Sequence, residues 1–327
     1  MACASDSTKP ATEKKIKIGF AMDALKQERW QKDRDLFLKR AAELGAEVVL
    51  QTADGSDDAQ MKQVESLLTQ GIDVLVIVPH NAEVAGGMVE MARKQGVPVV
   101  SYDRLVKNSA PDLYVSFDNE RVGELQAKYL VDHAPKGNYI LIGGAPTDNN
   151  SLLLRKGQMT MLQPSIDSGA IKIVADQWAK EWLADEALKH TENALTQNNN
   201  DVVAVVVSND GTAGGVIQAL NAQRLGGKVL VSGQDAELGA LQRILDGTQT
   251  MTVYKPISKL APAAVEAAIA LAKKEKLSTT RVVNNGKIDV PSILIEPIPV
   301  DRENIDATVI KDGFQKREDV YRNARQN

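Results

Sequence analysis

A series of apolar runs in this chain break off into short polar words, and the side chains in those words are the ones that exchange hydrogen bonds with hydroxyl groups. VLVIV ends in Pro79-His80-Asn81, VPVVSY in Asp103-Arg104, and YILIGG runs on to Asp148-Asn149-Asn150. VVAVVVS ends in Asn209-Asp210, KVLVSG in Gln234-Asp235, and MTVY in Lys255. A hydroxyl donates one hydrogen bond and accepts two. Carboxylates accept from it, Arg and Lys donate to it, and Asn does both, the bonds with an ionised partner being the stronger ones. A sugar ring adds two apolar faces, which suit the flat, rigid area of a tryptophan. Aromatic residues are only 4% of the chain, yet it holds Trp30, Trp178 and Trp182. The candidate binding set is Arg29, Trp30, Asp103, Arg104, Asp148, Asn150, Trp182, Asn209, Asp235 and Lys255. A buried site with this many charges must pair some of them with each other. Each polar word also reads as an ordinary helix N-cap, where Asp and Asn are favoured.

Other chemistry is not signalled. No G-x-G-x-x-G follows the first strand, and neither a Walker A motif nor G-x-S-x-G occurs. His80, His133 and His190 lack the Cys or carboxylate spacing of a zinc site. His80 ends a strand within reach of a ligand, whereas His133 and His190 fall late in predicted helices and read as surface residues. Residues 54–58 are acidic but read as a turn and helix cap, not as a Ca²⁺ loop. Neither a cofactor nor a metal is expected, and the chain does not read as an enzyme.

The elements that would position the polar words are α/β units. Helix-like stretches end at Gly45, Gly71 and Gly96, each followed directly by a strand, AEVVL, IDVLVIV or VPVVSY. Glycine just past a helix end is the expected C-terminal cap. Unbroken apolar runs suit strands buried on both faces, and strand–helix alternation implies parallel strands joined by right-handed crossovers. The spacing predicts helices over 119–132, 151–163, 185–197, 211–224, 236–246 and 259–275, with strands at 138–144, 171–175, 202–207, 228–232 and 250–254. That many units exceed one sheet of ordinary width. The expected fold is two lobes with a cleft between them. Predicted boundaries are a flexible tether over 1–15, a first lobe of 16–116 plus 257–289, and a second of 117–256 plus 290–327. The three crossings are placed at 115–118, 254–256 and 289–291, the last two stiffened by Pro256 and Pro291. In such sheets, ligands bind outside the carboxyl ends of the strands, where the polar words lie.

The 327 residues and 35.4 kDa suit two domains, and the net charge of −4 with a pI near 5.6 argues against nucleic acid as a partner. No apolar run reaches the ~18–20 residues of a membrane span. The single cysteine, Cys3, excludes an intrachain disulfide. Set in Met1-Ala2-Cys3-Ala4-Ser5 and followed by a polar stretch to Lys15, it resembles the stump of a bacterial lipoprotein signal, whose cysteine becomes the lipidated first residue, and implies a periplasmic or cell-surface lipoprotein anchored through Cys3.

The words ERWQKDRD (28–35), DVLVIVPHN (73–81), YDR (102–104), FDNERVGELQAK (117–128), PTDNN (146–150), SNDGTAGG (208–215), SGQDAEL (232–238) and GTQTMTVYKPI (247–257) resemble the D-xylose-binding branch of a solute-binding family. That family, the pentose/hexose periplasmic binding proteins of bacterial ABC importers, also contains ribose- and galactose-binding proteins. The likeness spans about Lys15 to Phe314. It implies a type I periplasmic binding protein: two Rossmann-like lobes with parallel sheets, three hinge crossings, and the sugar closed between them. On this reading Arg29, Trp30, Asp103 and Arg104 serve from the first lobe. Asp148, Asn150, Trp182, Asn209 and Asp235 serve from the second, with Lys255 at a crossing. Trp182 stacks on one sugar face, Trp30 is the candidate for the other, and Trp178 is structural. His80 stands where relatives carry tyrosine. The implied partners are D-xylose, a membrane permease of an ABC importer and a chemoreceptor. A sensor signalling to a histidine kinase would use the same pocket. A LacI-type regulator would need a DNA-binding module ahead of the first strand, where this sequence has about fifteen polar residues.

Overall fold

The computed structural model describes residues 14–279 and 281–322. Cys3 and most of the predicted tether therefore lie outside the described residues. The first lobe opens with β1 (Lys17–Met22), α1 (Glu28–Glu43), β2 (Glu47–Thr52), α2 (Asp57–Thr69), β3 (Val74–Ile77), α3 (Ala85–Lys94), β4 (Val99–Tyr102) and β5 (Leu113–Phe117). The glycines predicted to end its helices do so with left-handed φ, +73° at Gly45, +71° at Gly71 and +72° at Gly96. At the first, Ala46 N–H donates to Ala41 O at 2.9 Å, which closes the last turn and turns the chain into β2.

The second lobe continues with α4 (Asn119–His133), β6 (Gly137–Gly143), α5 (Asn149–Asp167), β7 (Ile171–Trp178), α6 (Ala184–Gln197), β8 (Ala204–Val207), α7 (Asp210–Ala222), β9 (Leu230–Val231), α8 (Leu238–Asp246) and β10 (Thr252–Tyr254). The chain then returns to the first lobe as α9 (Ile257–Ala272), β11 (Arg281–Asn284) and β12 (Asp289–Ile295), and crosses back as β13 (Ile298–Val300). Among the described residues the first sheet has the order β11-β12-β5-β4-β3-β1-β2 and the second β7-β6-β8-β9, with β10-β13 as a pair beside it. Hydrogen bonds join that pair to the second sheet, as Val253 N–H donates to Gly233 O at 3.1 Å and Asp235 N–H to Val253 O at 2.9 Å.

Each sheet is covered on both faces. In the first lobe Phe20, Val76 and Tyr102 pack toward α1 and α9, and Leu75, Ile77 and Val99 toward α2 and α3. In the second, Ile140, Val205 and Val207 face α6 and α7, and Leu141, Ala204 and Val206 face α4 and α5. The central strands β3 and β8 are buried along their whole length, which is why they read as unbroken Val/Ile/Leu runs.

One predicted boundary moves. β12 pairs in parallel with β5, Ser292 opposite Tyr114 and Ile295 opposite Phe117, so residues 290–295 belong to the first lobe's sheet. Pro291 lies within β12 opposite Val282 of the antiparallel edge strand β11, and stiffens no crossing. The third crossing falls at Glu296–Pro297, between β12 and β13. A proline in an apolar stretch read as a hinge, yet an edge ladder also tolerates it.

Candidate ligand-binding site

The carboxyl ends of β1, β4, β6, β8, β9 and β10 converge on one small cavity between the lobes. Its wall includes all ten residues predicted from the sequence and adds Gln27 and Gln234. Arg29 and Trp30 stand in the first turn of α1, whereas the resemblance implies the loop after the first strand. The Trp30 indole N–H donates to Gln27 Oε1 at 2.9 Å, so Gln27 orients the ring and its side chain does not cap the helix. The Arg29 guanidinium lies 4.2 Å from the Trp30 ring centre.

The charges are paired before any ligand arrives. Arg29 bonds Asp33 and Asp103, both at 2.9 Å, and reaches Asp235 across the cleft at 3.6 Å. Arg104 bonds Asp23 at 2.7 Å and, across the cleft, Asp148 at 2.8 Å. Lys255 sits 3.1 Å from Asp235. Three cations are thus spread among the five carboxylates Asp23, Asp33, Asp103, Asp148 and Asp235. Burial raises the pKa of Asp103, but Arg29, Lys255 and Arg104 outweigh it and hold the carboxyl below its ordinary value. At Asp148 burial prevails over Arg104, and the pKa rises. Burial also prevails at Asp33, which sits under Tyr102 and Arg29. An anionic ligand would meet an excess of carboxylates. A neutral ligand rich in hydroxyls meets donors and acceptors already held in place.

The two readings of the polar words are compatible, because each side chain has two ends. Asp148 Oδ1 caps α5 by accepting from Asn150 N–H at 2.9 Å, while Oδ2 accepts from the Trp182 indole at 3.2 Å and faces Arg104. Asn209 Oδ1 caps α7 from Thr212 N–H at 3.0 Å, which leaves its amide nitrogen for the cavity. Asn150 donates across the cleft to Asp103 O at 3.1 Å. Asp118 caps α4, through Arg121 N–H at 3.1 Å, and is not part of this cavity's wall.

Backbone shape sets the rest. Asp103, Glu181, Trp182 and Asp235 have left-handed φ of 59°, 53°, 56° and 99°, an uncommon state for residues with side chains, and three of them line the cavity. Trp182 lies on Gly144, where an added Cβ would meet its ring atoms at 2.2 Å. Trp178 packs instead on Gly143 under Arg155, away from the cavity wall. His80 lies in an adjoining outer chamber with Asp54, Lys180 and Glu181; its Nδ1 is 2.9 Å from Asp23 and its Nε2 is 3.8 Å from Glu181 of the other lobe. It supports the wall through Asp23 and is not part of it.

Three residues beneath the wall, Asp33, Tyr102 and Asn119, escaped the sequence reading. Asn119 donates to Asn150 Oδ1 at 3.1 Å. Asp33 follows Arg29 at i+4, a spacing that signals a pair on one helix face. Among the described residues no group of three or more His, Cys, Asp or Glu is placed to hold a metal ion.

The comparison with known proteins agrees with this geometry. The model of the periplasmic binding protein domain matches residues 18–276. The D-xylose-binding periplasmic protein of Haemophilus influenzae is 56% identical, over 95% of this chain and 94% of that protein. Its counterpart in Escherichia coli is 54% identical, over 95% and 94%. Among solved structures, a carbohydrate transporter solute-binding protein from Chloroflexus aurantiacus in complex with D-glucose superposes with a TM-score of 0.88 at 33% identity, covering 94% of this chain and 98% of that one. The chain belongs to the periplasmic binding protein family, with the type I fold, and is a non-enzymatic solute-binding protein.

Proposed function

We propose that this protein binds D-xylose in the cleft, closes over it, and delivers it to the membrane permease of an ABC importer. The observation that carries this is the cavity itself, with Trp30 contributed by one lobe and Trp182 by the other, and pre-paired polar groups around them. Likeness to two D-xylose-binding proteins above 50% identity supports the pentose. The sugar favours closure because it bonds both lobes at once. The ten wall residues predicted from the sequence are its proposed contacts. Anchoring through Cys3 as a periplasmic or cell-surface lipoprotein belongs to the same proposal, supported by the Ala2-Cys3 word and its polar spacer. Lipid labelling that persists in a Cys3→Ser variant would remove it.

Calorimetric titration with D-xylose, D-glucose, L-arabinose and D-ribose tests the main reading. Xylose is expected to bind far more tightly than the other three. Equal or tighter binding of another of these sugars would transfer the specificity, and heat from none of them would reject the sugar-binding reading.

A further inference from the structure

Gln234 is 4% exposed and lines the cavity, yet its Oε1 accepts no hydrogen bond from the described residues. A buried amide oxygen left without a donor is uncommon and destabilising unless something supplies one. The neighbouring Asp235 Oδ1 is also without a hydrogen-bond donor, but Lys255 and Arg29 stand 3.1 and 3.6 Å away and balance its charge. Gln234 has no charged group paired with it.

The backbone fixes where Gln234 points. Gly233 O accepts from Gln126 Nε2 at 3.0 Å and from Val253 N–H at 3.1 Å. Gln234 O accepts from Asp210 N–H at 3.0 Å, and Asp235 N–H donates to Val253 O at 2.9 Å. Gly233 admits no side chain, since a Cβ there would meet Asp210 Oδ1 at 1.9 Å and Gln249 Nε2 at 2.4 Å. The segment 233–235 is therefore held from three sides, and the φ of 99° at Asp235 turns two successive side chains onto one cavity. Consecutive residues of an ordinary strand would point to opposite faces.

We infer that Gln234 is a further specificity-determining residue, whose Oε1 accepts a hydrogen bond from a ligand hydroxyl other than the one taken by Asp235. This rests on the sugar-binding reading above. It assigns to this end of the cavity a ligand with at least two hydroxyl donors, and disfavours analogues that lack one of them.

The test is a matrix of dissociation constants for the wild-type protein and Gln234→Leu, against D-xylose and its four monodeoxy analogues. Gln234→Leu is expected to weaken xylose binding about tenfold. For one deoxy analogue the two proteins should agree within twofold, because the hydroxyl that Gln234 reads is already missing. A xylose affinity unchanged in Gln234→Leu overturns the inference, and so does an equal loss for all five sugars. Unfolding without sugar checks the fold of the variant, and Gln234→Ala gives the same matrix if the leucine is not accommodated. If the wild-type protein binds none of the sugars, the sugar-binding reading fails first. If it binds xylose and the variant matches it, only the role of Gln234 fails.

Discussion

Asp148 shows how one side chain serves both fold and site, and its two oxygens separate the tasks. Asp148→Asn retains an acceptor for the α5 cap but loses the charge that faces Arg104. The Trp182 ring is the larger contributor. Trp182→Ala should raise the xylose dissociation constant at least 30-fold, equivalent to about 2 kcal/mol, with an unchanged unfolding midpoint in the absence of sugar. Calorimetry and thermal unfolding read the two quantities separately. Gly144→Ala reaches the same ring indirectly, since the new methyl occupies the place of its edge. It should weaken sugar binding by about tenfold while Trp182 remains in the chain. Normal affinity in this variant would show that the ring does not depend on its seat. Seven of the ten predicted residues stood in the polar words, because a strand end and a polar side chain are both local features, whereas Arg29, Trp30 and Trp182 lie outside them. Gln234 stood in those words but carries no charge, and only the cavity marks it out.

At the scale of elements, helix ends were legible and close helix contacts were not. Gly45, Gly71 and Gly96 announce themselves by position. Gly123 and Gly157 look like helix-weakening residues until α4 meets α5. A Cβ at Gly157 would meet Glu120 O at 1.9 Å, and one at Gly123 would meet Leu154 O at 2.0 Å. Gly157→Ala must therefore push the two helices apart. We expect a loss of about 1–3 kcal/mol in chemical unfolding, although alanine is the better helix former. A gain in stability would mean that the helices separate freely. The misplaced third crossing has a related cause. Whether the proline at 291 ends a sheet or lies on its edge ladder depends on β11, which is far from any site word.

At the scale of the molecule, the lobes meet through Arg104 and Asp148, Arg29 and Asp235, and Asn150 and Asp103, so this is a closed arrangement. Two of the titrating groups near the lobe contact, His80 and Glu237, contribute to its pH response. The hydrogen bond to Asp23 raises the pKa of His80; burial opposes this, and the charges of Asp23, Glu181 and Asp57 add to the rise. The stabilisation by His80 is complete below its ordinary value near 6.5 and fades as pH rises through the raised one. Glu181 lies on the other lobe, so its share concerns closure. Sugar affinity should fall up to about fivefold over that interval, and His80→Gln should flatten the dependence. A sloping profile retained in the variant would remove His80 from closure. Glu237 acts in the same direction. Burial raises its pKa to about 8, helped by Asp210, Asp235 and Glu28 against Arg243. The protonated acid is favoured in the fold, and this contribution is lost as pH rises from the ordinary carboxyl range through about 8. Glu237→Gln should recover at least ~3 °C of melting temperature at pH 9 and little at pH 5, read by differential scanning.

The sequence by itself determined the α/β alternation, the two lobes, the strand ends that carry the polar words and ten of the twelve wall residues. Apolar runs, cap glycines and charged words are local, and the physics of strands and helix ends makes them legible without contacts. The tertiary structure alone decided which carboxylate meets which cation and that pairing of β12 with β5 places 290–295 in the first sheet. It also decided that Gly144 seats Trp182, and that Gln234 turns an uncharged amide into the cavity. Those outcomes depend on atoms from segments far apart in the chain, where a shift of one ångström changes a hydrogen bond or a van der Waals contact and leaves no periodic trace in the sequence.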